Sequence, residues 1–224
     1  MREKLKPTRL VAYVAGLLLL ALGIAASVRS NLGSSPVASV PYMFNLVTGL
    51  EMGLATIIWQ SFLVLLQFII LRKDFKPWIL LQLITGFLFG YCNTFAGWIF
   101  SLFPAPQSIV MRGVFTCIGF VVGGFGVWLY SSSQVLNMPS EGIVAVVAEK
   151  LNKPFYIIKI YHDVISVIIG ASGCLIFIRS FGSVGIGTVV ISIMLGTMVG
   201  IYSRAWGDKL KAVFEKDKSL VKEK

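Results

Sequence analysis

The sequence predicts an all-α membrane protein with six transmembrane helices, a class indicated by its composition, its apolar windows and its charge distribution. Its 224 residues are 56% hydrophobic and 13% charged, with a mean hydropathy of +0.83. Soluble domains carry about 25% charged residues, so this composition excludes a soluble enzyme. A crossing helix needs about 20 apolar residues, and six windows qualify: 10–29, 53–71, 77–102, 113–130, 156–178 and 184–203.

The first window follows a basic N-terminus, as the apolar core of a signal peptide also does. The run from Leu10 to Val28 is longer than the roughly 7–15 residues of such a core. Because further windows follow, we expect a retained first span. The three cysteines, Cys92, Cys117 and Cys174, lie in apolar stretches without CxxC spacing, which indicates neither a complete disulfide framework nor a zinc site.

The basic residues indicate the orientation of the chain. Lys and Arg number 20 against 10 Asp and Glu, a formal net charge of +10. With six crossings and a cytoplasmic N-terminus, all of the basic residues except Arg29, Arg112 and Arg179 lie inside. The positive-inside rule therefore favours both termini in the cytoplasm. Because the charges flank the apolar windows instead of clustering on one solvated face, they do not indicate nucleic-acid binding.

We expect a single transmembrane domain over residues 1–224, with a basic cytoplasmic tail over residues 207–224. The tail is polar and predicts a short, fraying helix near anionic lipid headgroups. A specific partner motif in the tail is the alternative.

An internal repeat emerges when the sequence is shifted by 103 residues. The halves are residues 10–103 and 113–206, and three spans separate equivalent positions, so the second half would be inserted upside down. The prediction is a 3+3 inverted repeat related by an axis in the membrane plane. The aligned pairs are Gly16 with Gly119, Gly23 with Gly126, Asn31 with Gln134, Ser34 with Asn137, Pro36 with Pro139, and Gln60 with Asp163.

Each half contains a polar segment followed by a short apolar run. The segments are residues 29–36 and 131–141, and their Ser, Asn and Pro residues are typical of helix starts. The helix of about 14 residues that follows is too short to cross. It either lies along the membrane surface or is re-entrant, starting near the midplane, and the sequence leaves both placements open.

The re-entrant placement predicts a binding site, because two helix N-termini, each with unpaired amides and a partial positive charge, would approach one point. Such a site suits an anion or a polar solute. The candidate substrate-binding residues are Asn31, Gly33, Ser34, Ser35, Pro36, Gln134, Asn137, Pro139, Ser140 and Glu141, flanked by Gln60, His162 and Asp163.

Polar side chains within the windows have two interpretations each. Lys159 and Asp163 can pair at i,i+4, either as an interfacial ion pair or with Asp163 facing a solute or proton pathway. Gln60 is either an interhelical hydrogen-bonding group or a ligand contact. Glu141 favours its helix N-terminus, which weakens an anion site and suits a cation-coupled or zwitterionic solute.

A resemblance to a known family lies around the first polar segment. The pattern LG-x-SP, TGL and G of the YczE/YyaS-like bacterial membrane proteins, relatives of the YitT group, is similar to Asn31-Leu32-Gly33-Ser34-Ser35-Pro36, Thr48-Gly49-Leu50 and Gly53, with Gly23-Ile24-Ala25 ahead of them. That family often has Trp-Asp after the proline, where Val37-Ala38 stand here, so no acidic role carries over at that point. The resemblance implies a compact polytopic inner-membrane protein, commonly supposed to be a transporter, without an implied substrate.

Motifs for catalysis are missing from the sequence. The single histidine has no second His or Cys beside it, Gly170-Ala171-Ser172-Gly173-Cys174 does not fit GxSxG, and there is no GxxxxGK loop. We therefore expect no enzyme, no metal and no cofactor. An intramembrane enzyme using His162 and Asp163 is the alternative.

Two functions remain open at this level. The first is a small secondary transporter or permease for a polar or anionic small molecule, with the lipid bilayer, the solute and a coupling ion as partners. The second is a non-transporting membrane scaffold or modulator of a partner protein. The glycine pairs either pack the bundle or hold a second copy of the chain; they are Gly86 with Gly90, Gly119 with Gly123, and Gly196 with Gly200.

The predicted topology has a direct test. Because the basic residues partition so unevenly, we expect an impermeant thiol reagent to label a cysteine at position 107 from outside the cell and one at position 216 only after the membrane is opened. Labelling of both positions from the same side would contradict six crossings.

Overall fold

The computed structural model describes residues 6–220, with side chains described as far as residue 215. Within those bounds the chain is helical, and two 3-10 turns, Arg72–Asp74 and Pro77–Leu80, join α3 to α4. The eight α-helices are α1 (Pro7–Ser30), α2 (Pro36–Thr48), α3 (Met52–Leu71), α4 (Leu81–Ser101), α5 (Ile109–Ser133), α6 (Pro139–Leu151), α7 (Phe155–Ile178) and α8 (Ile186–Leu220).

Six of these helices are long and apolar enough to cross a membrane, namely α1, α3, α4, α5, α7 and α8. Each coincides with one of the six predicted windows, which confirms an all-α multi-pass membrane protein. The last helix differs from the prediction, because α8 continues without a break to Leu220 where a separate, fraying tail helix was expected. Residues 208–220 contain neither Gly nor Pro, so nothing in the local sequence ends the helix.

Part of the basic partition lies outside the described residues. Arg2, Lys4, Lys222 and Lys224 fall beyond residues 6–220, and the side chains of Lys216 and Lys218 are not described.

The centre of the bundle is the close antiparallel pair of α1 and α5. A Cβ atom on Gly23 would lie 2.6 Å from the Gly119 carbonyl oxygen, and one on Gly126 would lie 2.4 Å from the Leu20 nitrogen. Only glycine permits such an approach of two backbones, and close packing replaces the hydrophobic effect as the force between helices in lipid. The glycines of α1 and α5 therefore pack within the chain.

The other spans flank this pair. α4 packs on α1 and α8 packs on α5, while α3 packs on α4. The main hydrophobic core lies between α1, α5 and α4 and includes Leu17, Leu20, Phe89 and Tyr130, which are at most 6% exposed.

Both short helices are buried among the spans. α2 lies along the second half of α7: its Ser39 carbonyl is beside Gly170, Met43 is beside Gly173, and Leu46 is beside Gly182. The start of α2 is therefore beside the middle of α7, and the helix runs toward the C-terminal end of that span.

The second short helix lies in the same way along α3. Gln67 Nε2 donates to the Pro139 carbonyl at 3.3 Å, and the side chains of Pro139 and Gln60 both lie beside Gly86. From there Val144 and Ala148 continue along the later turns of α3. At 13 residues each, α2 and α6 are about 20 Å long and do not reach across a bilayer core of about 30 Å.

A residue in the left-handed backbone conformation ends each short helix and also the span that precedes it. Asn31 ends α1 with φ 55° and Gln134 ends α5 with φ 53°, while Gly49 ends α2 and Asn152 ends α6, also at positive φ. Asn and Gly tolerate this backbone region, so the chain stops each helix and redirects the next.

A packing variant tests the central pair. We expect Gly23→Ala to lower the free energy of unfolding by about 1–3 kcal/mol, because its methyl group meets backbone atoms that cannot yield. The change is measured as a lower Tm in detergent. Gly97→Ala is the matched control, since a Cβ there meets no atom within 4 Å, and equal effects of the two variants would contradict the close α1–α5 contact.

Candidate functional site

A cavity of about 510 Å³ lies where the first turns of α2 and α6 meet the spans α1, α5, α7 and α8. That volume is within the range of about 300–1,000 Å³ found for small-molecule sites. Most of the wall is apolar. Its polar members are Ser35, Tyr130, Ser140, Glu141, Lys159, Asp163 and Ser192.

The two short helices contribute their N-terminal ends to this wall, Ser35 and Pro36 from α2 and Ser140 and Glu141 from α6. Few of their amides are free. Proline carries no N–H, the Ala38 amide donates to the Ser35 carbonyl at 3.0 Å, and the Glu141 amide donates to a carbonyl of its own turn at 2.9 Å. The two ends therefore offer an anion fewer donors than helix N-termini usually do.

An ion pair lies on the α7 side of the cavity. Lys159 Nζ donates to Asp163 Oδ1 at 2.5 Å, and His162 Nδ1 lies 3.2 Å from the same oxygen. The i,i+4 pair expected from the sequence thus forms, and both of its members face the cavity.

The Glu141 carboxyl group is in a different situation. Tyr130 donates a hydrogen bond to its Oε1, but within the described part of the chain Glu141 has no direct ion-pair partner. Glu141 lies in the first turn of α6 and lines the cavity. Lys159 lies in the same cavity wall but donates its hydrogen bond to Asp163, which makes Glu141 an acid without a direct ion pair among the described residues and a candidate for a working residue.

Ser35 adds an unsatisfied hydroxyl to the same wall. Its side chain is 5% exposed, and among the described residues its Oγ has no hydrogen-bond partner. It stands at the N-cap of α2, yet its side chain makes no capping bond there. Buried hydroxyls usually find a partner, so Ser35 leaves one polar group unsatisfied beside the cavity.

Several predicted site residues lie elsewhere. Asn31 and Gln134 are exposed and serve as left-handed helix ends, and Asn137 is exposed. Gly33 and Ser34 are buried against the connection between α7 and α8, where the Ser34 amide and Oγ donate to the Ser183 carbonyl at 3.2 and 3.3 Å. At φ 108° and with no room for a Cβ beside Gly185, Gly33 needs to be glycine.

Gln60 and His162 also lie apart from the cavity wall. Gln60 of α3 is 1% exposed and lies beside Gly86 of α4 and Pro139 of α6. Its Oε1 has no hydrogen-bond partner within the described residues. His162 reaches Asp163 with Nδ1, but its ring lies in a separate apolar groove between α3, α6 and α7. The predicted set therefore divides, with Ser35, Pro36, Ser140, Glu141 and Asp163 sharing one cavity.

Sequence reasoning missed two polar members of the wall, Tyr130 and Ser192, and treated Lys159 only as a partner of Asp163. A tyrosine near the end of a span is typical of an interface anchor, and a serine in a span is typical of helix packing. Tyr130 therefore had a local explanation, and only the path of α6 after α5 brings it to Glu141.

Cysteine accessibility tests whether the cavity holds water. In a variant without the three native cysteines, we expect Ser192→Cys, on the cavity wall, to react with a small hydrophilic thiol reagent. Ser39→Cys is the matched control, because Ser39 is fully buried. Its hydroxyl, like that of Ser192, donates to the backbone carbonyl four residues earlier. Equal rates for both positions would contradict an aqueous cavity.

Comparisons with known proteins point to one family. The family described as "Family of unknown function (DUF6198)" matches residues 7–204. An uncharacterized protein of Haemophilus influenzae is 24% identical over 186 residues, which cover 82% of this chain and 78% of that protein. The uncharacterized protein YyaS of Bacillus subtilis is 27% identical over 192 residues, or 84% of this chain and 88% of that protein.

No solved structure matches the chain significantly. The matches with other proteins agree with the resemblance to YyaS-like proteins that rests on the first polar segment. Since the family match extends over most of the sequence, the chain belongs to the family of unknown function DUF6198.

Proposed function

We propose that the protein is a small secondary transporter that moves a polar small molecule across the bacterial inner membrane. The observation that carries this proposal is the cavity at which the starts of α2 and α6 meet Glu141, Lys159 and Asp163. Irregular backbone and ionisable side chains at the depth of a span's middle are tolerated where they line a cavity, and they mark solute pathways.

The depth of the site follows from the short helices. α2 starts beside the middle of α7, and α6 starts beside the middle of α3. If the six long helices cross the bilayer, the cavity lies near its midplane, which supports the re-entrant placement over the surface placement. Substrate sites of secondary transporters lie at this depth.

The repeat supports the proposal in a second way. The helix bounds of the two halves agree with the offset of 103 residues. α1 ends at Ser30 and α5 at Ser133, while α2 (Pro36–Thr48) corresponds in both of its bounds to α6 (Pro139–Leu151). The packing is reciprocal as well, because α2 packs on α7 whereas α6 packs on α3. Two halves inserted in opposite orientations, residues 10–103 and 113–206, would produce this arrangement and allow the site to face either side alternately.

The charged residues of the cavity wall restrict the class of solute that it can bind. Asp163 is paired with Lys159, and Glu141 leaves the wall with an excess of one acidic group over basic ones. The scarcity of free amides at the short helices removes the main argument for an anion. We therefore propose a polar solute that is not a simple anion, with Asp163 and Glu141 in contact with it or with a coupling ion.

Transport by reconstituted protein tests the proposal. Proteoliposomes are incubated with a defined mixture of amino acids, amines and polyols, and retained solutes are identified by mass spectrometry against protein-free liposomes. We expect accumulation of at least one solute, and Asp163→Asn should lower its uptake by about ten-fold or more, which corresponds to about 1.4 kcal/mol.

The variant separates a working aspartate from a structural one. Both members of the Lys159–Asp163 pair are 28% exposed, so a purely structural pair is worth about 1 kcal/mol or less, and its loss would leave uptake unchanged. Asp208→Asn is the matched control, because Asp208 pairs with Lys211 on the exposed surface of α8. Absence of uptake of any solute by folded wild-type protein would favour the scaffold function instead.

A further inference from the structure

We infer that the transported solute is an amphipathic organic cation, with its charge against Glu141 and its apolar body between α7 and α8. This assignment rests on the proposed function and names the class of substrate for the same cavity. It depends on three observations: an acid without a direct ion pair among the described residues, an unpartnered hydroxyl, and a separation between two spans.

The charge of the cavity is set by Glu141. Lys159 and His162 both approach Asp163, which leaves Glu141 with a hydrogen bond from Tyr130 and without a direct ion pair in the described part of the chain. A cation beside Glu141 completes the charge balance of the site, whereas an anion adds to an existing negative surplus. In a low-dielectric surrounding this difference is large.

The hydroxyl of Ser35 is a polar group beside the cavity that no described residue satisfies. Ser35 is 5% exposed and lines the same cavity as Glu141. Its Oγ has no hydrogen-bond partner among residues 6–220. A polar atom of a bound molecule, or a water molecule bound with it, would satisfy this group.

The separation of α7 from α8 gives the cavity its apolar part. In the first half, α3 packs closely on α4, and glycines at the contact permit this approach. A Cβ on Gly53 would lie 2.1 Å from Thr94 Oγ1, and one on Gly90 would lie 2.3 Å from Ile57 Cγ1. The positions 103 residues later are Tyr156 and Ile193, which are 65% and 59% exposed.

Without those glycines, α7 and α8 do not form a close pair within the described residues. The cavity occupies the space between them, and its walls there are aliphatic. They are Val164, Val167 and Ile168 from α7, and Ile191 and Leu195 from α8.

This opening faces the flank of the bundle, where the lipid of a bilayer lies. Ile160, Val164 and Ile168 line the cavity and are also 49–59% exposed, so the protein does not seal the cavity on this side. A fully hydrated small ion gains nothing from such walls, whereas a cation with a hydrophobic body contacts both the aliphatic walls and Glu141.

A binding experiment with two probes of the same shape tests the inference. Purified full-length protein in detergent is dialysed to equilibrium against tetraphenylphosphonium or against tetraphenylborate, its anionic counterpart, with protein-free micelles subtracted. We expect saturable binding of tetraphenylphosphonium at least about ten-fold tighter than that of tetraphenylborate, the effect of about one favourable charge contact. Equal or tighter binding of the borate would overturn the inference, and this comparison needs no variant.

Glu141→Gln then locates the charge that is responsible. It keeps the shape of the side chain, and we expect tetraphenylphosphonium to bind about ten-fold or more weakly. Glu149→Gln is the matched control, since Glu149 lies on the exposed side of the same helix. Equal affinities of Glu141→Gln and wild-type protein would remove the assignment.

The two proposals fail separately. If wild-type proteoliposomes take up polar solutes while tetraphenylphosphonium neither binds nor competes, the substrate class is wrong and the transport function stands. If tetraphenylphosphonium binds in a Glu141-dependent way and no solute is taken up, the cation site stands and the transport function is wrong.

Discussion

The close contact of α1 with α5 is the constraint on which the rest of the molecule depends. Four glycines, Gly16, Gly23, Gly119 and Gly126, bring the two backbones together so closely that a methyl group on any of them would overlap or crowd the partner. Around this central pair, α4 packs on α1 and α8 packs on α5. The short helices pack mainly on the remaining two spans, α2 on α7 and α6 on α3.

Two buried short helices impose a second requirement, because each must start inside the bundle with its polar ends satisfied. The chain meets this requirement by turning at left-handed residues, Asn31 and Gln134, and by starting each helix with proline, which has no amide to satisfy. The backbone amide and the hydroxyl of Ser34 then donate hydrogen bonds to the Ser183 carbonyl, which hold the turn between α1 and α2. Ser35 and Glu141 line the cavity.

The fold was largely predictable from the sequence, because the number of crossings depends on length and hydropathy alone, and these are local properties. The polar segments before Pro36 and Pro139 also predicted the start of each short helix correctly. The composition of the cavity was less predictable. Gln60 and Asp163 were aligned by the predicted repeat, yet Gln60 lies against Gly86 and Pro139, whereas Asp163 lines the cavity. That difference depends on how each span packs against its neighbour.

The spans α3 and α4 are in close contact, whereas α7 and α8 do not form a close pair within the described residues. Gly53, Gly86 and Gly90 let α3 and α4 approach each other, and the residues 103 positions later, Tyr156, Val189 and Ile193, are larger and 59–65% exposed. The cavity lies between α7 and α8, on the side of Asp163. The acidic groups and the opening to the flank of the bundle thus belong to the same half of the chain, where Glu141 and Asp163 line one cavity.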